Sequence, residues 1–450
     1  MPARPGYVRS SLLLLVAFAS VFFPRLLETI GFPAAINFVH FAVVPVAAGL
    51  ALLQTRTRDR QQRITTQRML LALWLLLTIE FASALWNGAG AINAILSFLL
   101  LTEPFLLLVA LCSLPLSKTS VEHLRGWFIR FNLFHLFLAL VQRFVFRVDL
   151  KPGALTGPDA VQGVFYLSGS GHVVGASVAF TFGVYYFLTA KKRPLWLRGL
   201  ILFLSFIHLN VADAKQALLS FALAFAALSL IRLKDIKKAV IYITFGTVAV
   251  FAFIWAIQNI PFLDAFNTWI RPGLYGPDGE GTRVKLMGVY NILDHYTSPV
   301  NAFIGLGPGH TIDRLGGWML KDYESLLAPF GATRSTVADE TWAEMLANWL
   351  GASSTFFSPF FGWAGIWGDL GLLGLGAYLW LWVIVWQQLC ADDLCRFVLL
   401  TAAVFGFFLT QLQEPGYMLS VTFLIGMRSQ EIRQTQLENY ARKIEQLRNN

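Results

Sequence analysis

The stretch AINAILSFLLLTEPFLLLVALC, residues 91–112, decides the fold class of this chain. It runs for 22 residues with a single charged side chain, Glu103. A helix needs about 20 apolar residues to cross the hydrocarbon core of a bilayer, because each residue advances it by about 1.5 Å. The segment therefore predicts a membrane-spanning α-helix.

The composition of the whole chain indicates the same environment. Hydrophobic residues make up 56% of its 450 residues, and charged residues only 14%. A soluble domain has too little interior to bury so much apolar surface, so we expect a lipid bilayer to solvate it. The three cysteines are too few for a disulfide framework or a zinc site, and we expect no cofactor.

Eleven further apolar segments predict an all-α, polytopic integral membrane protein with about twelve transmembrane helices. The predicted spans are 10–27, 34–53, 69–87, 91–112, 126–146, 172–189, 195–211, 215–231, 239–257, 361–387, 396–412 and 415–428. The first one also resembles a secretory signal. We expect it to be retained as a helix, because its apolar character continues through Phe23.

These spans divide the chain into four parts. We expect an N-terminal bundle of about nine spans (1–257), a loop (258–360), C-terminal helices (361–428) and a polar helical tail (429–450). The net charge is +9, and 23 of the 35 Lys and Arg fall in segments on one side of the predicted spans. The positive-inside rule then places both termini in the cytoplasm and the loop outside. Basic clusters between spans signal topology, so we expect no nucleic acid partner.

The outer loop is too long for a structureless connection and is expected to carry helices and a function. GTRVKLMGVYNILDHY (281–296) and ADETWAEMLANWLGAS (338–353) each predict a helix on the membrane surface. In the second, Trp342, Leu346, Trp349 and Leu350 are expected on one face. Asp339 and Glu340 open it, either as helix-capping residues or as candidate bases.

The loop holds ten carboxylates against six Lys or Arg, so an anion site there must depend on a few placed cations. Arg283 and Lys285 are the leading candidates, since they lie two apart near the start of a predicted helix. Together they suit a diphosphate, because guanidinium presents two parallel donors to phosphate oxygens. The alternative is an ordinary pair extending to the lipid headgroups.

Other charged residues fall near the same membrane face. Lys215, in NVADAKQALLSF (210–221), is either a further cation for a phosphate-bearing ligand or the ion-pair partner of Asp213. Arg143 and Arg314 complete the predicted substrate-binding cations. Glu80 and Glu103 lie within spans, where charged groups either pair or line a cavity.

The run NAFIGLGPGHT (301–311) looks at first like a nucleotide loop. It lacks the dinucleotide-binding pattern, because the sixth position is His310 and not glycine, and it lies on the predicted outer side. We therefore expect a tight turn that bends the chain back to the membrane. His310 is a candidate catalytic residue beside it.

Three stretches, in order, resemble the O-antigen polymerase and O-antigen ligase family of bacterial envelope glycosyltransferases. ADAKQALLSF (212–221) is similar to the family's Ser-Arg turn, with Lys215 where arginine is usual. The loop run with Arg283 and the Gly-x-Gly turn resembles the family's outer loop. FFGWAGIWGDLGLLGL (360–375) resembles the segment that leads into the next span.

The resemblance implies transfer between undecaprenyl-diphosphate-linked saccharides at the outer face of the bacterial cytoplasmic membrane, without a metal, and with a chain-length regulator as a possible partner. Arg283, with Lys215 or Lys285, would stabilise the leaving diphosphate. His310, Glu340 or Asp339 would act as base. The family's ligases carry a histidine where this chain has Phe360, which favours a polymerase. The alternatives are a ligase and a flippase of lipid-linked saccharides.

Overall fold

The computed structural model describes residues 10–54, 59–151, 157–166, 170–232, 236–260 and 272–449. Every regular element in these ranges is helical, and no strand occurs among them. A helix lies at each of the twelve predicted span positions. They are α1 Ser10–Phe22, α2 His40–Gln54, α3 Arg60–Asn87, α4 Ala91–Ser113, α5 Lys118–Phe144, α6 Gly171–Thr189, α7 Leu195–Val211, α8 Lys215–Ile231, α9 Ile236–Asn259, α13 Gly362–Gln388, α14 Asp393–Phe405 and α15 Pro415–Asn449. The segment between α9 and α13 adds α10 Glu280–Asp294, α11 Thr336–Ala347 and α12 Trp349–Ser353.

The lengths of these helices differ from the prediction of about twelve full spans. Within the described ranges, seven are long and apolar enough to cross a membrane: α2 to α6, α9 and α13. Helices α1, α7 and α8 are apolar but shorter, with 13, 17 and 17 residues. The all-α prediction is confirmed, and the long apolar helices are compatible with a membrane protein.

Helix α15 forms the centre of the bundle. All its residues from 415 to 427 are buried, and it packs chiefly on α4, with further contacts to α1, α5, α6 and α14. After Met427 the sequence becomes polar and the helix continues toward solvent as the predicted helical tail. A single helix therefore contains both the last predicted span and the tail.

Polar contacts connect different segments of the chain at each end of the bundle. At one, which we call the tail end, the polar half of α15 forms ion pairs with the ends of three other helices. These pairs are Lys118–Glu438 at 2.7 Å, Arg433–Asp59 at 2.9 Å and Arg428–Asp392 at 2.7 Å. At the opposite end, the loop end, the segment 272–360 packs on the helices. Asn93, for example, donates to the carbonyl oxygens of Pro308 and Thr333, at 3.0 and 2.9 Å.

The predicted turn at GLGPGHT is confirmed, and its backbone forms hydrogen bonds with α13 where that helix is interrupted. Gly305, Gly307 and Gly309 all have positive φ, which glycine adopts without steric cost. The amides of Leu306 and Gly307 donate to the carbonyl oxygens of Gly368 and Asp369, at 2.8 and 3.1 Å. Those carbonyl groups are free because Gly371, with φ 63° and ψ −164°, interrupts the helix. The turn and the helix break thus satisfy each other's backbone groups.

Of the two helices predicted in the loop, one is present as predicted and the other is divided into two. Residues 281–296 lie largely in one helix, α10, as predicted. The prediction of one helix over 338–353 is wrong. Asn348 adopts an extended conformation, and its side chain accepts hydrogen bonds from the amides of Leu350 and Gly351, so that it ends α11 and caps α12.

The break at Asn348 also rearranges the apolar residues. Leu350 is buried, whereas Leu346 and Trp349 are more than half exposed, so the predicted common face does not form. The N-cap position of α11 is Ser335, which lies before Asp339 and Glu340. Neither acidic residue is therefore the N-cap.

Candidate functional site

A cavity of about 1160 Å³ lies at the loop end. Its wall includes the first residues of α6 and α8, parts of α11 and α12, and the segment 317–323. This volume is slightly above the roughly 300–1,000 Å³ of typical small-molecule sites, so the cavity has room for a ligand larger than a drug-sized molecule. The predicted outer segment and the helix bundle thus enclose one space between them.

Among the described residues, four cationic side chains line this cavity from separate parts of the chain: Arg25, Lys215, Arg314 and Lys321. Three aspartates, Asp159, Asp213 and Asp322, also line it, so the net charge of the described wall is close to zero. Recognition of an anion there therefore depends on where individual cations lie and not on a general positive charge.

Arg25 and Arg314 are brought close together although they are far apart in sequence. Both also line a smaller cavity of about 40 Å³ beside the first. Burial lowers the pKa of Arg314, whereas the nearby Glu414 carboxylate raises it. Repulsion from Arg25 lowers this pKa further. Two guanidinium groups within repulsive range form a place where an anionic ligand gains energy from both.

Several contacts fix Arg314. Its side chain pairs with Glu414, its amide donates to the Gln413 side chain at 2.8 Å, and its guanidinium lies 5.8 Å from the Trp318 ring centre. Its Nε is enclosed and has no hydrogen-bond partner among the described residues. The neighbouring Asp313 is buried, which raises the pKa of its carboxyl, and it accepts from the Gly316 amide and the Gln413 side chain. Arg314 is therefore held in place with one donor unused.

Lys215 and His172 lie in another part of the wall. Lys215 begins α8, and its Nζ is 2.9 Å from Asp213. Asp213 has φ 49°, a left-handed conformation that is uncommon for a residue other than glycine. His172 lies in the first turn of α6, with Nε2 3.7 Å from Asp159. Such strained and polar groups concentrate at functional sites.

Aromatic side chains complete the cavity. Trp318, Trp342, Trp349, Tyr275 and Tyr323 all line it. The Trp342 indole is anchored, since its Nε1 donates to the Gly317 carbonyl oxygen at 2.6 Å. Rigid aromatic faces beside cations suit a ligand that combines flat apolar surfaces with negative charge.

Of the sequence-predicted site residues, the structure brings Lys215 and Arg314 to this cavity. Lys285 does not line it. Its ammonium donates to the carbonyl oxygens of Ser358 and Phe408, at 2.7 and 2.6 Å, and lies 4.8 Å from the Phe361 ring centre. Burial lowers the pKa of Lys285 to about 7. These contacts join α10 to the segment before α13, which contains Ser358, and to the segment after α14, which contains Phe408.

The remaining predicted cations and carboxylates lie outside the cavity wall. Arg283 is exposed on α10 and has no ion pair within the described ranges. The other three are each paired. Arg143 pairs with Asp149, Asp339 with Arg334 at 2.6 Å, and Glu340 with His295 at 3.4 Å.

His310 is also outside the cavity and is fully hydrogen bonded. Its Nδ1 donates to the Leu306 carbonyl oxygen at 3.0 Å, because a carbonyl only accepts. Nε2 then accepts from the Thr333 hydroxyl at 2.9 Å, and that hydroxyl accepts from the Gly90 amide. Burial lowers the pKa of His310. The geometry gives it a role in joining the glycine turn to the following segment.

The two glutamates within spans are enclosed in the bundle. Glu103 lies 2.7 Å from the Nδ1 of His40, and Glu80 accepts from the Ser97 hydroxyl at 3.0 Å. Of the two alternatives weighed from the sequence, structural pairing agrees with the contact of Glu103, whereas Glu80 has a hydroxyl partner and no ion pair within the described ranges.

Sequence reasoning missed Arg25, Lys321 and His172 as cavity residues. Arg25 lies at the end of the first predicted span, and His172 begins another, so a charged or polar residue at a span end was the available signal. No local pattern reports that these ends meet, because the contacts join segments distant in sequence. A group of three or more His, Cys, Asp or Glu able to hold a metal ion was not found in the described ranges.

Comparison of the chain with known protein families and with curated proteins gave no match.

Proposed function

We propose that this protein is a membrane glycosyltransferase that polymerises a bacterial surface polysaccharide, such as an O-antigen, a capsule or an exopolysaccharide. It transfers glycan from undecaprenyl diphosphate to a lipid-linked repeat unit. The observation that carries the proposal is the cavity that gathers Arg25, Arg314, Lys215 and Lys321 beside aromatic faces. A diphosphate placed between the guanidinium groups of Arg25 and Arg314 would reduce the repulsion between them. Its oxygens would accept hydrogen bonds from both groups.

The chemistry of the reaction suits these groups. A sugar bound to a lipid diphosphate already has a good leaving group, once the charge that develops on the diphosphate is neutralised. Cations fixed in advance stabilise that charge at no cost of reorganisation during the reaction. The aromatic side chains, among them Trp342 and Trp349, provide faces for the sugar rings.

The proposal includes an arrangement in the membrane. Twelve helices cross the cytoplasmic membrane, the loop end lies outside, and both termini lie in the cytoplasm. The basic residues of the tail end support this orientation, because Arg428 and Arg433 join the cluster that the positive-inside rule places in the cytoplasm. The cavity then opens where lipid-linked repeats are assembled.

A polymerase fits better than a ligase. Phe360 stands where the resembling ligases carry a histidine, and its ring packs on Trp342 with the ring centres 4.8 Å apart. That position therefore offers no acid or base.

The saccharides that accumulate in a deletion strain test the proposal. Loss of a polymerase leaves single repeats on the carrier or attached singly to the acceptor. Finished polymer on the carrier would indicate a ligase instead, and repeats retained inside the cell would indicate a flippase. Either result contradicts the proposed reaction.

Lys215→Met and Lys321→Met test the cavity itself. Each keeps an apolar stem and removes one charge, and we expect polymer formation to fall by about 100-fold, as when one group stabilising a transition-state charge is lost. Arg283→Met is the matched control, because Arg283 is an exposed cation outside the cavity. Polymer should be measured at equal protein level. Loss of polymer in the Arg283 variant alone would move the site to α10.

A further inference from the structure

His172 differs from the histidines that have structural contacts in this protein. His135, His295 and His310 each have hydrogen bonds at both ring nitrogens. His172 is only 2% exposed, yet its Nδ1 has no hydrogen-bond partner in the described part of the chain. A buried imidazole nitrogen without such a partner costs stability, and a buried polar group left unsatisfied is a candidate for a catalytic role.

The place of His172 indicates that role. It lines the same cavity as Lys215 and Arg314. Its Nε2 lies 3.7 Å from an oxygen of Asp159, beyond hydrogen-bond distance, so the nitrogen is not committed to that carboxylate. Asp213, the ion-pair partner of Lys215, is the second carboxylate that interacts electrostatically with the ring. His208 also has no geometric hydrogen-bond partner among the described residues, but it packs beside His135 and does not line the cavity.

We infer that His172 is the general base of the transfer reaction, with Asp159 stabilising its protonated form; this inference rests on the proposed function. The hydroxyl oxygen of the acceptor sugar attacks the anomeric carbon of the donor, and its proton passes to Nε2 of His172. The bond between that carbon and the diphosphate oxygen breaks, and its electron pair leaves with the diphosphate. Lys215 and Arg314 hold the departing charge. The imidazolium, next to Asp159, then releases its proton to water.

The assignment separates two tasks within one cavity. Binding of the diphosphate depends on the cations, whereas removal of the acceptor proton depends on His172. A variant that lacks the imidazole should therefore bind the carrier and fail in the chemical step.

The test uses membranes from the deletion strain, which contain its own lipid-linked repeats, and the purified full-length protein. Chain growth is followed as an initial rate, and binding is followed as the shift in Tm caused by undecaprenyl diphosphate alone. For His172→Gln we expect a rate at least 100-fold lower, in the range of lost general base catalysis, with the Tm shift unchanged. Asp159→Asn, at a partly exposed position, should lower the rate about 10-fold with binding unchanged.

His295→Gln is the control, because His295 lies at the loop end, is paired and does not line the cavity. Its rate should equal that of the wild type. A His172→Gln protein with a normal rate would overturn the assignment of the base, and so would one whose Tm shift is lost together with its rate. Failure of the proposed function is a different result: the wild-type protein would then show neither chain growth nor a Tm shift with undecaprenyl diphosphate.

Discussion

At the scale of single residues, the same residue type serves different purposes in different places. Lys215 and Lys285 were both candidate anion-binding residues from the sequence. Lys215 reaches the cavity with one carboxylate partner, whereas Lys285 donates to two carbonyl oxygens in the packed interior of the loop end. The surroundings of the ammonium group, and not its presence, decide whether it can bind a ligand.

Lys285 makes the stability of the protein depend on pH. Its pKa is about 7 in the folded protein, below the value of about 10.4 for an unfolded chain. Between these values the unfolded chain binds more protons, so the free energy of unfolding rises with pH, by at most about 1.4 kcal/mol per pH unit. We expect the Tm of the wild type to rise between pH 7 and pH 9, and this rise to be smaller in Lys285→Met. Arg283→Met, two residues away, should keep it; an equal rise in both variants would contradict the prediction.

At the scale of elements, the break in α13 and the glycine turn form one unit. Gly371 frees two carbonyl groups, and residues 306 and 307 supply the amides that bind them. The Ser83 hydroxyl of α3 adds contacts to the carbonyl oxygens of Ile304 and Asp369, at 2.6 and 3.0 Å. Two segments that are distant in sequence, α3 and the glycine turn, thus depend on one interrupted helix.

Gly371→Ala tests this dependence. At φ 63° and ψ −164°, a region that essentially only glycine adopts, an L-residue costs about 1–3 kcal/mol, and the added Cβ would collide with the backbone of Phe303. We expect a clear fall in Tm. Gly376→Ala in the same helix is the control, since its Cβ would meet no atom within 4 Å and alanine favours a helix by about 0.5–1 kcal/mol. A Gly371 variant as stable as the Gly376 variant would show that the break is not required.

Elements that depend on local sequence can be predicted from it, whereas contacts between distant segments cannot. Apolar runs place the helices because burial of a continuous apolar segment is a local property. The break at Asn348 was also readable in principle, since asparagine favours N-cap positions. The approach of Arg25 to Arg314 was not readable, because it results from packing between segments that are distant in sequence.

At the scale of the whole molecule, the cavity and the polar tail lie at opposite ends of the bundle. Cysteine labelling in spheroplasts tests whether a membrane separates them. Arg283→Cys should react with an impermeant maleimide from outside, and Lys443→Cys only after permeabilisation, since both positions are exposed. The native Cys112, Cys390 and Cys395 are buried, so their reactivity should be low. Labelling of position 443 from outside would contradict the orientation.

The continuity of α15 has a practical consequence for such work. Glu414, the partner of Arg314, immediately precedes a helix of 35 residues, which makes a rod roughly 50 Å long that ends in the C-terminal tail. Because the helix is continuous, a bulky reporter fused directly to its last turn would be held close to the ion pairs that this helix forms at the tail end. Reporters and affinity tags should therefore be attached to this terminus through a flexible glycine-serine spacer.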